Sequence, residues 1–400
     1  MFSPKSKSAE AQPLGIYVHV PFCRSKCEYC DFYSLAGGMN KESMDLYLQA
    51  ILAHIREAAQ RAAGYVVDTV YFGGGTPSFF GAPGLVRILA EIDRRFHLSR
   101  DAEISLEANP DSVTQQSLGK LRRAGFNRIS IGVQCDEDTK LKALGRPHNY
   151  RQAQSAVQMA RKAGFDNVSV DLMFGLPNQS REQWMATVRN VADLKPDHIS
   201  CYGLKVEEGT RLWEYREGAN LPDDDAQADM YFYAVETLES LGYQQYEISN
   251  FSRPGMECRH NLKYWSGEPY LGFGPAVASD FAGKRFTAEA DLNRYVTGIL
   301  DHGTILSQCE SVPMRERAGE YLMLRLRTRY GIEQHEYQRN YLLPFAPLEE
   351  LLARYREQEL AEYDENGRWH LTPKGYMVSN TLLVELLDAQ QESKPLANVR

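Results

Sequence analysis

From Ile16 to Leu241 the chain alternates six times between a short apolar run and a longer amphipathic segment. The runs are Ile16–Val20, Val66–Phe72, Glu103–Glu107, Arg128–Gln134, Val168–Phe174 and His198–Leu204. Between and after them, Asn40–Arg61, Leu85–Phe96, Thr114–Ala124, Arg151–Ala163, Glu182–Leu194 and Asp224–Leu241 read as helices. The first shows the pattern plainly, with Met44, Leu48, Ile51 and Ile55 at helical spacing. Alternating strands and helices predict a parallel sheet with helices outside. Six units are too few to close an eight-stranded barrel, so the α/β fold expected is an open, partial (β/α)6 barrel. The alternation stops near Glu310. Beyond it, Met314–Arg327 and Leu348–Tyr355 are amphipathic, and Leu360–Tyr363 and Trp369–Leu371 flank an Asp364-Glu365-Asn366-Gly367 turn. Pro373–Leu387 then reads as a helix, which predicts a small, mainly α, winged-helix-like C-terminal domain. The expected divisions are a flexible tail at 1–14, a barrel at 15–245, a linker or extension at 246–309 and the helical domain at 310–400.

The first apolar run ends in Pro21 and leads into Cys23-x3-Cys27-x2-Cys30. Three thiolates on one tight loop can hold three irons of a [4Fe–4S] cluster, leaving the fourth iron open to a small chelating molecule. S-adenosylmethionine (SAM) is such a molecule, through its amino and carboxylate groups. A zinc site would need a second cysteine pair, and the chain has none. Seven cysteines in 400 residues make no disulfide framework. Unpaired thiols and an oxygen-sensitive cluster point to the cytoplasm. The first fourteen residues lack an apolar signal core, and no run of about 18 apolar residues predicts a membrane span. A net charge of −8 without a basic block argues against a nucleic-acid surface.

The remaining polar candidates fall at strand ends. Gly73-Gly74-Gly75-Thr76-Pro77 follows the second strand, where missing side chains let backbone approach a ligand. Glu107 ends the third strand and can accept hydrogen bonds from ribose hydroxyls or an amine, although a solvated strand end would look the same. Gln134 ends the fourth, and Arg146 lies in the loop beyond it. Asp171 sits among apolar residues of the fifth strand and needs a partner, either a ligand or Arg146. Lys205 follows the sixth. In barrels of this type, active sites gather at that C-terminal rim.

The cysteine loop, the Gly73–Pro77 stretch and Glu107 together resemble the radical-SAM superfamily. Tyr17-Val18-His19-Val20-Pro21-Phe22-Cys23, Gly132-Val133-Gln134, Leu144-Gly145-Arg146, Asp171–Pro177 and Glu247-Ile248-Ser249-Asn250-Phe251 are similar to the oxygen-independent coproporphyrinogen III oxidase group. The resemblance implies cluster ligation by Cys23, Cys27 and Cys30. It implies SAM contacts at Tyr17, Tyr29, Gly74, Gly75, Thr76, Glu107, Gln134, Arg146, Asp171 and, more weakly, Lys205. It also implies an electron donor such as flavodoxin or ferredoxin.

Two departures separate this chain from the true oxidases. Those carry a further cysteine two residues after the third ligand, where Phe32 stands here, and a longer arm than the roughly fifteen residues before the first strand. Both features resemble instead the HemW-type heme chaperones, which bind cluster, SAM and heme and pass heme to acceptor proteins. His260-Asn261-Leu262-Lys263-Tyr264-Trp265 resembles the heme motif proposed for that group, which makes His260 the candidate axial ligand. Neutral imidazole suits heme iron, and Tyr264 and Trp265 offer flat apolar surface. Cys258 reads as a buried cysteine, with a second axial ligand as the alternative. His19 reads either as a hydrogen-bonding neighbour of the cluster or as an interior histidine. The alternative function is oxidative decarboxylation of coproporphyrinogen III to protoporphyrinogen IX, with porphyrinogen in place of heme.

Overall fold

The computed structural model describes residues 12–37 and 40–396; residues 1–11 of the expected tail, and 38–39 and 397–400, lie outside the described residues. In chain order the barrel elements are β1 (Gln12–Val20), α1 (Lys41–Ala59), β2 (Tyr65–Gly74), α2 (Ala82–Arg95), β3 (Leu98–Ala108) and α3 (Gln115–Arg123). They continue with β4 (Arg128–Gln134), α4 (Asp138–Ala143), α5 (Tyr150–Ala163), β5 (Asn167–Phe174), α6 (Arg181–Ala192), β6 (His198–Gly203) and α7 (Asp224–Ser240). β1 to β6 lie side by side in sequence order, all parallel. Their apolar side chains face α1, α2, α3, α5, α6 and α7 in one continuous core, with Trp184, Phe72, Phe126 and Tyr243 fully enclosed. Three of these helices begin with reciprocal capping boxes, Thr114 with Ser117, Asn149 with Gln152 and Ser180 with Gln183.

One expectation changes and another narrows. Gln12 already pairs with Tyr65, so 12–14 belong to the sheet and not to a tail. Of the linker or extension expected at 246–309, the extension is what forms, because its strands extend both edges of the same sheet. β7 (Gln244–Glu247) and β8 (Asn250–Ser252) form a hairpin that lies antiparallel on β6. The chain then crosses beneath the barrel as α8 (Arg259–Ser266) and returns as β9 (Tyr270–Phe273), a seventh parallel strand beside β1. β10 (Ala278–Phe281), β11 (Lys284–Ala288), α9 (Leu292–Leu300) and β12 (Leu306–Glu310) follow. Among the described residues the sheet has twelve strands, in the order β12-β11-β10-β9-β1-β2-β3-β4-β5-β6-β8-β7.

The C-terminal domain runs α10 (Met314–Arg325), β13 (Ile332–Glu333), α11 (Gln334–Tyr341), α12 (Ala346–Glu357), β14 (Ala361–Tyr363), β15 (Arg368–Leu371), α13 (Pro373–Met377) and α14 (Ser379–Glu392). β15 lies between β13 and β14, the winged-helix arrangement. The expected single helix over Pro373–Leu387 is broken at Val378. Backbone bonds Ile248 N–H to Arg327 O (3.0 Å) and Arg329 N–H to Tyr246 O (3.0 Å) stitch this domain to the barrel edge. Arg285 and Arg317 add ion pairs with Glu320 and Asp280. No described helix is long and apolar enough to cross a membrane.

Gly375 opens α13 against the carbonyl of Leu360, where an added Cβ would stand 2.0 Å from that oxygen. Gly375→Ala is therefore expected to cost about 2 kcal/mol of stability by overpacking. Urea denaturation measures it, and an unchanged midpoint would contradict the packing described.

Candidate cluster and cofactor site

The strand ends place the site. β1 delivers Val20 and Pro21 to the rim, and the segment Phe22–Ala36 folds back so that Phe22 and Cys23 pair with Leu35 and Ala36. Leu35 N–H bonds Pro21 O at 2.7 Å and Cys30 N–H bonds Cys27 O at 3.3 Å, making a closed loop that carries all three thiols, each half-buried. A small second core of Leu141, Leu144, Met173, Leu176, Leu204 and Leu212 supports it from the opposite rim, with Tyr29 packed against it. Glu28 N–H to Leu144 O (3.1 Å) and Leu212 N–H to Glu28 O (2.8 Å) fix the far side of the loop.

Gly74 and Gly75 owe their identity to this loop. Gly74 has φ +111°, and a Cβ there would lie 2.6 Å from the His19 ring. At Gly75 a Cβ would lie 2.9 Å from Phe22 O and 3.0 Å from Cys23 Sγ. The bare backbone instead bonds the turn, Gly75 N–H to Val20 O (2.9 Å) and Thr76 N–H to Phe22 O (2.8 Å). Thr76 Oγ1 then touches Cys23 Sγ (3.3 Å) and accepts from Asn109 Nδ2 (3.2 Å).

Arg146 connects the loop to the barrel mouth. It donates to Asn109 Oδ1 (2.7 Å), Gly132 O (3.0 Å) and Cys27 Sγ (3.5 Å), while its buried Nε has no protein partner. Gln134 Nε2 and Arg146 Nη2 converge over Gly132, where a Cβ would meet them at 2.9 and 2.8 Å. Gln134 ends β4 at φ +66°, beside a register shift against β5. The alternative pairing of Asp171 with Arg146 is not made; Asp171 accepts instead from Ser130 Oγ (2.9 Å). Burial raises its carboxyl above the usual range.

Glu107 accepts from Tyr71 Oη (2.9 Å) and Gly74 N–H (3.2 Å). Burial, only partly offset by the Tyr71 bond, pushes its carboxyl up to about 7. Tyr17, carried over by resemblance, stacks on Tyr71 (6.2 Å) and reaches His19 Nδ1 with its hydroxyl (3.2 Å). His19 Nε2 is held by Tyr33 O at 2.9 Å, so His19 is an interior histidine. Asn109, Ser130 and Tyr71 were not singled out from sequence; each acts by bridging residues distant in the chain. Lys205 is exposed on the loop after β6 and takes no part in this network.

His260 departs from the expectation of an axial ligand. It is fully buried, with Nδ1 on Thr69 Oγ1 (2.9 Å) and Nε2 on Tyr264 Oη (2.9 Å). Both ring nitrogens are engaged, and burial lowers its pKa to about 3. Tyr264 is turned inward, edge-on to His260, so it offers no open face there. Cys258 is buried, with its Sγ 3.6 Å from Glu103.

The donor set fits a [4Fe–4S] cluster with a polar ligand. Three thiols share one loop, and a cation with a spare Nε stands beside them. Two half-buried carboxyls, Glu107 and Asp171, stand at the mouth beyond. Among the described residues no three His, Cys, Asp or Glu converge on a single ion. A cubane does not require that, because each thiolate takes a different iron.

Two outcomes follow from this geometry. Gly75→Ala is expected to lower the iron bound after anaerobic reconstitution while leaving the far-ultraviolet circular dichroism unchanged; full iron content would contradict the contact with Cys23. Folded Glu107 keeps its proton up to about 7, against 4.5 for an ordinary glutamate, so its contribution favours folding at low pH. That contribution is lost as pH rises through this window, and the buried Glu247, also pushed up to about 7, acts in the same direction. Glu107→Gln should flatten the fall in melting temperature of the cluster-free protein across this window; an unchanged slope would contradict the assignment.

A family model described as the Radical SAM superfamily matches residues 17–191. The chain is 35% identical over 379 residues to the Escherichia coli protein named heme chaperone HemW, covering 93% of this chain and 97% of that one. It is 32% identical over 379 residues to the Lactococcus lactis protein of the same name, covering 94% and 98%. A solved structure of the Escherichia coli coproporphyrinogen III oxidase HemN, 24% identical, matches 96% of this chain and 91% of its own with a TM-score of 0.82, a likeness of fold. With this fold, and relatives aligned along nearly its whole length, the chain belongs to the radical-SAM superfamily and, within it, to the HemW group.

Proposed function

We propose that this chain is a cytoplasmic heme chaperone that binds a [4Fe–4S] cluster and SAM and delivers heme to acceptor proteins. Membership in the radical-SAM superfamily implies the cluster and SAM. The observation that carries the chaperone reading is the near full-length likeness to proteins named heme chaperone HemW. Phe32 supports it: where the oxidases place a further cysteine, this chain has a phenylalanine that is 66% exposed.

Cys23, Cys27 and Cys30 would hold the cluster. When bound and reduced, by a donor such as flavodoxin or ferredoxin, the cluster can supply an electron to a sulfonium. Arg146 offers its unpartnered Nε to a carboxylate beside the cysteine loop. Gly74, Gly75 and Thr76, whose N–H groups are taken by Glu107, Val20 and Phe22, would form the wall beside the cysteine loop, and Gln134, Tyr17 and Tyr29 would complete the rim. Glu107 and Asp171 would accept hydrogen bonds from hydroxyl or amine groups, and each such donor would favour the ionised carboxylate against the burial that raises its pKa. Lys205, exposed after β6, would need to swing inward to join them.

The test is anaerobic reconstitution followed by two assays. Titration with heme is expected to saturate near one equivalent, and incubation with coproporphyrinogen III, SAM and reductant to leave the substrate unchanged. Formation of protoporphyrinogen IX would overturn the chaperone reading in favour of the oxidase. Replacing the three cysteines by serine is expected to abolish the cluster absorbance.

A further inference from the structure

The floor of the barrel is built by α8. Its N-terminus enters between β2 and β3, where the buried Glu103 receives Arg259 N–H (2.9 Å) on one carboxylate oxygen and His260 N–H (3.1 Å) on the other. Arg259 also reaches Asp101 O at 2.8 Å, so the helix start is pinned to one strand by side chain and backbone together. This clamp holds the His260 ring inside the barrel, bridged between Thr69 of β2 and Tyr264 of its own helix.

The upper face of that ring lies against the site. His260 stacks on Tyr71 with centroids 5.2 Å apart and planes 22° apart, and on Tyr17 at 6.4 Å and 26°. Tyr71 in turn donates its hydroxyl to Glu107, which receives Gly74 N–H. A contiguous line of contacts therefore runs from the imidazole through Tyr71 to the carboxylate and the glycine backbone beneath the cysteine loop. Because both nitrogens are spent on hydroxyl groups, the ring has a single orientation, and the tyrosine above it has a fixed seat.

We propose that His260 is a positioning residue of the SAM pocket: it seats Tyr71, and through it Glu107, and does not bind heme iron. This rests on the reading of the mouth as a SAM pocket, and it separates SAM binding from heme binding within that reading. An imidazole placed to ligate iron would keep one nitrogen free and reachable; this one has neither.

The test uses the full-length chain, reconstituted anaerobically, as His260→Ala, His260→Gln, Thr69→Val and Tyr264→Phe. Loss of an outer-shell support predicts SAM binding weakened roughly ten-fold in His260→Ala. The change that SAM induces in the electron paramagnetic resonance spectrum of the reduced cluster should shrink with it. His260→Gln, which can still bridge two hydroxyls, should recover most of the affinity. The heme stoichiometry and absorption spectrum should match the parent protein in all four variants. Loss of heme with SAM binding intact in His260→Ala would overturn the proposal, as would an unchanged SAM affinity. If His260→Ala does not fold, Thr69→Val and Tyr264→Phe decide: each removes one hydroxyl, and unweakened SAM binding in both overturns it. A parent protein that binds SAM but no heme would instead refute the chaperone reading, with the SAM measurements still deciding the role of His260. A parent that binds no SAM would overturn the proposal itself.

Discussion

The backbone of Gly75 and Thr76 lies against the turn at Val20–Phe22, and the rest of the site depends on that approach. Two main-chain bonds, 2.9 and 2.8 Å long, join the ends of β1 and β2 exactly where the cysteine loop departs. A side chain at Gly75 would occupy the space of Cys23 Sγ, and one at Gly74 that of the His19 ring. The loop is thus held by sheet geometry before any cofactor enters, and its far end is anchored through Glu28 to the opposite rim. Thr76, Asn109 and Arg146 then carry a chain of hydrogen bonds from one cysteine to another across the mouth.

The barrel interior is unusually polar for so enclosed a space. Glu103, Arg128, His198, His260 and Glu247 are all buried, and the half-buried Glu107 and Asp171 stand on β3 and β5. Such groups are costly unless bonded. Most find partners from other strands: His198 with Ser169 and Tyr246, His260 with Thr69 and Tyr264, Asp171 with Ser130. The exceptions are informative. Arg146 Nε beside the cysteine loop, Arg128 Nε at the start of β4 and Glu247 Oε1 on β7 are buried without partners. The C-terminal domain flanks this part of the barrel and shares backbone bonds with Tyr246 and Ile248.

Much of this was legible in the chain. Strand and helix periodicity located all six repeating units, because apolar runs and amphipathic stripes are local consequences of facing one core. Cysteine spacing identified the loop, since a tight turn brings thiols at those intervals together whatever surrounds them. The Asp364–Gly367 turn marked the hairpin for the same local reason. The short strand β9 was missed: Tyr270-Leu271-Gly272-Phe273 is four residues long and interrupted by glycine, and only its tertiary neighbours β1 and β10 give it partners.

Tertiary structure alone decided which polar residues act together. Glu107 could have been a solvated strand end; Tyr71 and Gly74, brought from the neighbouring strand, make it a half-buried acceptor. His260 carries a motif that reads as a ligand, yet its helix enters the barrel pointing inward and spends both nitrogens there. Local sequence specifies the period and the turn, because those depend on neighbours along the chain. Which way a side chain finally faces, and which atom remains free, depends on groups as far as 191 residues away along the chain, and only packing brings those together.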